Sequence, residues 1–428
     1  MRVAIVGAGI GGLAAAYDLA KGGCEVVVFE GADQVGGLSA GFKMPRWEWS
    51  VEHYYHHWFA SDEHVLGLID ELGLSRKVLF PRPITAVYFE GKFYALDSPL
   101  AVLTFPGLPF IQRIRMGLVV AYLKYIARWE PLEEVTADAW LRKWMGDLIY
   151  QILWEPLLES KFGSDYRDVN MAWMWARFKA RTPKLGTFEG GFQAFMDHLA
   201  EHVQDMGAEI RLRAPVSKIQ TTSGDRLQVT ANGETLEFDK CLVTTSPGLL
   251  AKIAPDLPPT YLEKLLAMKS MGAVVMIVAI NHRLSDEGIY WHSLPKSAGF
   301  PFLSLVEHTN FISSDRFGGD HIIYVGDYLE PGHEYFTLSK DELLERFLSA
   351  FSRFNPQFTS DWVRDSWMFR TPYAQPIPLL NHSRSIPSIR TPMSGLWFAS
   401  MSQVYPWDRG TNFAVEIARR SAKEILQH

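Results

Sequence analysis

Cysteine is scarce, with two in 428 residues, so no disulfide framework is available. Cys24 and Cys241 stand far apart in apolar runs and read as buried, reduced thiols of a cytoplasmic protein. An excess of positive charge is missing too. The 42 basic and 48 acidic side chains leave a net charge of −6, which excludes the electrostatic footprint of a nucleic-acid binder. No run reaches the roughly 20 apolar residues that cross a bilayer. Tandem repeats and low-complexity tracts are absent, and the first strand pattern begins at Arg2, so no signal peptide is expected ahead of it.

What the chain does have is apolar substance. Hydrophobic residues make up 47% and charged residues 21%, the balance of a folded globular protein, and the length predicts two or three domains. The opening reads as a strand, VAIVG, a glycine-rich turn, a helix over 12–21 and a second strand, CEVVVFE, ending at Glu30. Residues from about 60 to 185 change to helical periodicity. SDEHVLGLIDELGL predicts a helix capped by Ser61 or Asp62 and closed by Gly73. Within 105–129, the apolar run Gly117–Leu123 lies between Arg113, Arg115, Lys124 and Arg128. That pattern suits a helix at a membrane interface or an amphipathic helix packed within the protein.

Strand–helix–strand style returns near residue 186. A hairpin turning at Asn232-Gly233 leads to a buried strand, GAVVMIVAINHRL is a long apolar strand, and a helix is predicted over 340–354. The strand GLWFAS, an aromatic turn and a last helix close the chain. The expected fold is α/β: a Rossmann-type domain assembled from 1–60, 186–270 and 385–428, a helical insertion over 61–185, and a strand-rich α+β substrate domain over 271–384.

GAGIGG places Gly7, Gly9 and Gly12 in G-x-G-x-x-G register, with Ala8, Ile10 and Gly11 between them. Gly7 permits the tight turn, Gly9 lets backbone approach a pyrophosphate, and Gly12 lets the helix sit close on the sheet. The helix N-terminus offers free N–H groups to phosphate, and Glu30 is placed to accept hydrogen bonds from ribose hydroxyls. Six residues on, Gly36-Gly37 permits a second close approach to the same pyrophosphate.

Together GAGIGG, Glu30 and VGG resemble the N-terminal signature of the FAD-dependent amine oxidase superfamily, which includes protoporphyrinogen oxidases and phytoene desaturases. The segments FEGGFQAFMDHLAEHVQDMGAEIRLRAPVSKI and DKCLVTTSPGLLAKI extend the resemblance. It implies FAD as cofactor, with Val216 bonding the adenine through its backbone, and Thr245 and Ser246 of the 244–247 turn near the flavin. Leu38 stands where relatives often have Arg or Lys. The closing helix would aim its N-terminus at the flavin N1–C2=O edge, with Arg409, Gly410, Thr411 and Asn412 at its mouth. Where the family commonly has Gly-Asp, this chain has Ser400-Met401. Ser400, Ser402, a backbone N–H or Asp408 are the candidate replacements.

For the chemistry, monoamine-oxidase-like members place a Lys near flavin N5. Here Met276 or an apolar neighbour falls at that position, and Lys269 comes early. The resemblance therefore implies hydride transfer to flavin from a hydrophobic small molecule, with oxygen or a quinone as acceptor. EHYYHHWF would face the substrate side, with His53, Tyr54 and His56 contacting substrate or handling protons, and Tyr405 and Trp407 lining the same cavity. His53, His56 and His57 have spacing compatible with metal, but no carboxylate or cysteine partner is evident, so no metal is expected. Two alternatives stand beside this reading. One is a UDP-galactopyranose-mutase-like enzyme that grips a diphosphate through Arg167, Arg177, Lys179 and Arg181; the other is a flavin-binding protein without catalysis.

Overall fold

Val- and Ile-rich segments buried on both faces build a parallel sheet at the base of the molecule. In this computed structural model, which describes residues 1–96, 98–222 and 226–428, its five strands run in the order Glu209–Arg211, Glu25–Phe29, Arg2–Val6, Lys240–Val243 and Leu396–Phe398. The register sets Val6 level with Phe29 and Val243, and Val243 level with Phe398. Four strands thus end together, and the loops that follow them gather at one edge of the sheet, where ligands of such sheets bind.

Helix Ile10–Lys21 packs on one face of this sheet, with Phe192–Asp205 and the closing helix Thr411–Gln427 against it. The other face carries the antiparallel sheet Val216–Thr221, Leu227–Ala231 and Glu234–Phe238, whose hairpin turns at Asn232-Gly233 with both residues at positive φ.

A seven-stranded mixed sheet forms the second layer, with Ser270–Ile280 between Val363–Pro376 and His321–Leu329. Side chains alternate across it. Val274, Met276 and Val278 face a core shared with helix Lys340–Leu348, whereas Val275, Ile277 and Ala279 face Trp47, Trp49 and Val51. The helix predicted over 340–354 ends at Leu348, because the chain breaks to turn Phe351 into that same core. The segment 61–185 is not helical throughout. Its strands Ile84–Phe89 and Lys92–Ala95 turn at Glu90-Gly91, both at positive φ, and add a hairpin to the seven-stranded sheet. Apart from the short strand Val78–Leu79, the rest is mainly helical, with Phe110–Tyr125, Ala137–Met145, Glu155–Phe162 and Met171–Ala180 around Leu123, Leu141, Phe162 and Trp173.

Helix Glu63–Glu71 follows Asp62, but its cap comes from elsewhere. The Asp62 carboxylate accepts the Phe59 N–H at 2.9 Å, and the His64 and Val65 N–H groups donate to Asn412 Oδ1 at 2.9 and 3.1 Å. Neither Ser61 nor Asp62 supplies the capping bond, because the closing helix reaches those donors first.

Candidate active site

The loop after the first strand is held by close backbone approach. A Cβ on Gly12 would lie 1.9 Å from the Gly7 carbonyl oxygen, and one on Gly7, at φ 105°, would lie 2.8 Å from Thr244 Oγ1. Gly9 meets Gly37 face to face, and the Gly36 N–H bonds the Ala8 carbonyl at 2.9 Å. Glu30 joins the two loops by accepting Ala8 N–H at 2.7 Å and Ala32 N–H at 2.9 Å, and each oxygen keeps a second acceptor site. Ile10 and Gly11 open the first helix, and Gly11 lies against Ala414 in the first turn of the closing helix. The two helix mouths are therefore neighbours. Leu38 is half-buried beside them, and Val216 opens its strand opposite Ala231, past the Pro215 that touches Gly31. Thr245 Oγ1 is buried without a partner near Gly7. Ser246 is engaged locally, accepting the Leu249 N–H as cap of helix Pro247–Ile253.

At the closing turn three hydroxyls satisfy one another. Tyr373 Oη lies 2.8 Å from Ser400 Oγ and 2.6 Å from Ser402 Oγ, and the Ser400 N–H donates to Gln403 Oε1 at 2.8 Å. No acid stands there. Met401 is half-buried, and among the described residues nothing accepts its N–H. Beyond Gly410, the N–H groups of Thr411, Asn412 and Phe413 likewise have no acceptor. Their side chains work structurally: Thr411 Oγ1 accepts Trp58 Nε1–H at 2.9 Å, and Phe413 stacks on Trp407 with centroids 5.3 Å apart.

A cavity of about 80 Å³ opens at this mouth, between His57, Phe59, Asp62, Arg177, Arg181 and residues 408–413. Asp408 accepts Trp173 Nε1–H at 3.0 Å and Arg177 at 3.3 Å. Burial would raise its carboxyl, but Arg409, Arg177 and Lys161 hold it down at about 2. Arg409 also donates to Tyr328 Oη. Lys161 Nζ sits 4.2 Å from the centre of the Tyr328 ring, and burial lowers its ammonium to about 8. Burial alone would raise the Tyr328 phenol, yet Arg409 and Lys161 bring it below its ordinary value.

None of His53, Tyr54, His56 and Tyr405 lines this cavity; His57 does. His53 is stacked on Phe369 at 4.1 Å and on Phe42 at 5.9 Å, and burial lowers its pKa. Burial pushes the Tyr54 phenol up. His56 pairs its Nδ1 with the Tyr54 carbonyl, and burial takes it down to about 4. His57, at about 3 from burial, keeps a buried Nδ1 without a partner. Tyr405 Oη accepts Asn170 Nδ2–H at 3.1 Å, and its ring packs against Trp129 and His382 in the helical layer. Among the described residues no group of three His, Cys, Asp or Glu side chains could hold a metal. Arg177 and Arg181 reach the cavity, whereas Arg167 and Lys179 bond Tyr166 Oη and the Lys124 carbonyl at the surface. Lys269 pairs with Asp165 at 2.7 Å on the surface.

Lys161 and Tyr328 were absent from the sequence-level candidates. A signal for Lys161 exists: it shares the buried stripe of its helix with Leu158 and Phe162. Tyr328, at the end of an apolar strand, carries no such mark.

The model of the flavin containing amine oxidoreductase family matches residues 10–426. The flavin-containing amine oxidase A of Sus scrofa is 23% identical over 469 residues, which cover 99% of this chain and 84% of that protein. Among solved structures, a provisionally assigned protoporphyrinogen oxidase from Exiguobacterium sp. 255-15 superposes with a TM-score of 0.78 at 17% identity, covering 100% of this chain and 98% of that one. A cyclohexylamine oxidase from Brevibacterium oxydans does so with a TM-score of 0.74 at 17% identity, with coverage of 100% and 98%. A putrescine oxidase double mutant gives 0.76 at 19% identity, with full coverage of both chains.

Proposed function

Because the chain belongs to the flavin-containing amine oxidoreductase family, we propose that this FAD-dependent oxidoreductase dehydrogenates a small molecule with a hydrophobic body and hands the electrons to oxygen or a quinone. The residues fit FAD. The glycine contacts that no Cβ could enter, the partnerless Thr245 Oγ1 and the free N–H groups at two adjoining helix mouths form one continuous cradle. Gly9, Gly11, Gly12, Gly36 and Gly37 would hold the pyrophosphate, Glu30 the ribose, Val216 the adenine, and Thr245 with the 411–413 N–H groups the flavin. When bound, FAD supplies the hydride acceptor. The free N–H groups of the closing helix favour negative charge in front of them.

The observation that carries the substrate reading is the inner face of Ser270–Ile280. It presents Val275, Ile277 and Ala279, while Met276 points into the opposite core and Lys269 is spent on Asp165. No lysine of this strand is available to assist amine chemistry, and aromatic side chains dominate the facing layer. Burial holds His56 and His57 neutral, so the chain's own task is to bind, orient and exclude water.

The test is anaerobic mixing of the purified yellow protein with a porphyrinogen, a polyene precursor and the amines putrescine and benzylamine. Bleaching by either of the first two, without bleaching by the amines, is expected. Bleaching by an amine alone overturns the substrate class, and protein that carries no flavin after gentle purification overturns the whole reading. The mutase-like alternative keeps one observation in its favour, the position of Arg177 and Arg181 in the cavity. It requires UDP-sugars to perturb the flavin spectrum when no hydride donor reduces it.

No helix among the described residues is long and apolar enough to cross a membrane. Helix Phe110–Tyr125 nevertheless leaves Ile111 79%, Leu118 68% and Tyr125 76% exposed while burying only Met116 and Leu123. Arg113, Arg115 and Lys124 share the helix, which suits contact with an anionic membrane surface.

A further inference from the structure

The site contains more cation than its own anions neutralise. Lys161, Arg177, Arg181 and Arg409 converge from helix Glu155–Phe162, from the end of helix Met171–Ala180 and from the closing turn. Two carboxylates face them, and both are already committed. Asp408 is shared by Trp173, Arg177 and its own following N–H, and Asp62 accepts the Phe59 N–H.

Lys161 has no ion pair among the described residues, only the face and hydroxyl of Tyr328. Arg409 donates to Tyr328 but leaves a buried Nε without an acceptor. Two more buried polar atoms stand partnerless close by, His57 Nδ1 and Gln375 Oε1, the latter on a side chain whose Nε2 reaches Asp408 at 3.4 Å.

A buried cation short of counter-ions is costly, and here Lys161 and Arg409 share the one carboxylate that Arg177 already engages, so the cluster is suited to receive something negative. We infer that the substrate carries an acidic group, a carboxylate or a phosphate, received by Lys161, Arg177 and Arg409 where they gather around Tyr328 and Asp408. The inference rests on the proposed oxidoreductase reading for the placement of the rest of the substrate. It deepens that reading: the anionic end fixes which carbon of the hydrophobic body is presented. Arg177 and Arg409 supply planar guanidinium forks, and Lys161 a compact point charge. The phosphates of FAD are accounted for separately, by the glycine loops at residues 7–12 and 36–37.

The test uses FAD-loaded protein and three probes with one tail and different heads: decanoate, decyl phosphate and decanol. Binding is measured by calorimetry and by the flavin difference spectrum, neither of which requires turnover. At least one of the two anions is expected to bind about tenfold tighter than decanol, the scale of one charge-assisted hydrogen bond. Which anion does so identifies the head group. Lys161→Met, which keeps the length of the stem, should remove most of that preference without changing decanol affinity, and Lys161→Arg should restore it.

Equal affinity for the three probes, no binding of either anion, or a preference that survives Lys161→Met overturns the inference. So does a Lys161→Met protein whose flavin midpoint potential shifts while the preference stays intact, because the cluster would then serve the cofactor. Failure of the oxidoreductase reading appears elsewhere, as protein without flavin or flavin that no donor bleaches, and leaves the calorimetric comparison readable.

Discussion

Replacing Asn412 by Ala should unfasten helix Glu63–Glu71 although the two lie nearly 350 residues apart in sequence. Asn412 is 5% exposed, and its Oδ1 accepts two N–H groups, from His64 at 2.9 Å and from Val65 at 3.1 Å. Both donors belong to the unsatisfied first turn of that helix, and Val65 is fully buried, so no water can replace the lost acceptor at its N–H. Loss of a capping side chain costs about 1 kcal/mol, and stranding a buried donor about 1–3 kcal/mol more, so about 2–4 kcal/mol is expected in all.

For a unit of about 200 residues, that corresponds to a fall of roughly 5–10 °C in thermal midpoint. Amide exchange at residues 64–66 should accelerate before global unfolding, because the perturbation is local. Asn412→Asp provides the control. A carboxylate retains the acceptor and suits the N-termini of both helices, so its midpoint should equal or exceed the parent's. The reasoning fails if Ala leaves the midpoint and the local exchange unchanged, or if Asp destabilises as much as Ala.

Three other outcomes are expected of this protein. Gly12→Ala would press a Cβ to 1.9 Å from the Gly7 carbonyl, a backbone clash costing about 1–3 kcal/mol, and should yield folded protein that retains little FAD by absorbance. Stability should peak near pH 6.5. Buried His56, His57, His292, His308 and His382 are all depressed to about 3–4, so their stabilisation is lost as pH falls from 6.5 through those values. Fewer buried carboxyls, Glu52, Glu307 and Asp327, are raised to about 7 by burial, so their contribution falls as pH rises from the ordinary carboxyl range up to about 7 and levels off beyond it; the histidines outweigh them below 6.5, and a thermal midpoint that climbs steadily to pH 8 would contradict this balance. Finally, Ile111→Glu with Leu118→Glu should abolish sedimentation with anionic vesicles while leaving the flavin spectrum unchanged, and undiminished sedimentation would remove the membrane reading.

Local backbone requirements were legible from sequence, whereas convergence was not. Gly7 and Gly12 announce themselves because a turn with no room for a Cβ admits one residue type, and Asn232-Gly233 does so because both positions need positive φ. The long strand Ser270–Ile280 was legible as an apolar run, but not which of Val275, Met276 and Ile277 joins the core of Trp47 and Trp49, since both faces of that strand are buried. Lys161, Tyr328 and Arg409 come from three elements spread over nearly 250 residues, and no periodicity links them. The hairpin at residues 84–95 escaped detection because its strands find partners some 200 residues later. Asn412 opens the closing helix, and the sequence marks its backbone N–H as a candidate cofactor contact; that its side chain also caps helix Glu63–Glu71 rests on a contact between segments far apart in the chain, which no local pattern announces.

The absent acid at the closing turn and the surplus of cations at the closing helix have one electrostatic consequence. Where the family resemblance leads to the expectation of Asp, Tyr373, Ser400 and Ser402 form a neutral hydroxyl cluster that satisfies itself. A few residues on, Arg409 joins Lys161 and Arg177 around the single carboxylate of Asp408. Removing a negative charge from one side of the helix mouth and adding positive charge on the other both raise the potential in front of the free N–H groups of residues 411–413. In a buried, weakly screened site those contributions act in the same direction. A bound flavin would face the free N–H groups, and a neutral substrate would leave the charge of Lys161 and Arg409 unanswered, with Lys161 already driven toward deprotonation by burial. An acidic one would neutralise it and hold Lys161 charged, so the lysine's own titration reports on the substrate. Its pKa of about 8 should rise when the correct anion binds and stay put when a neutral analogue does.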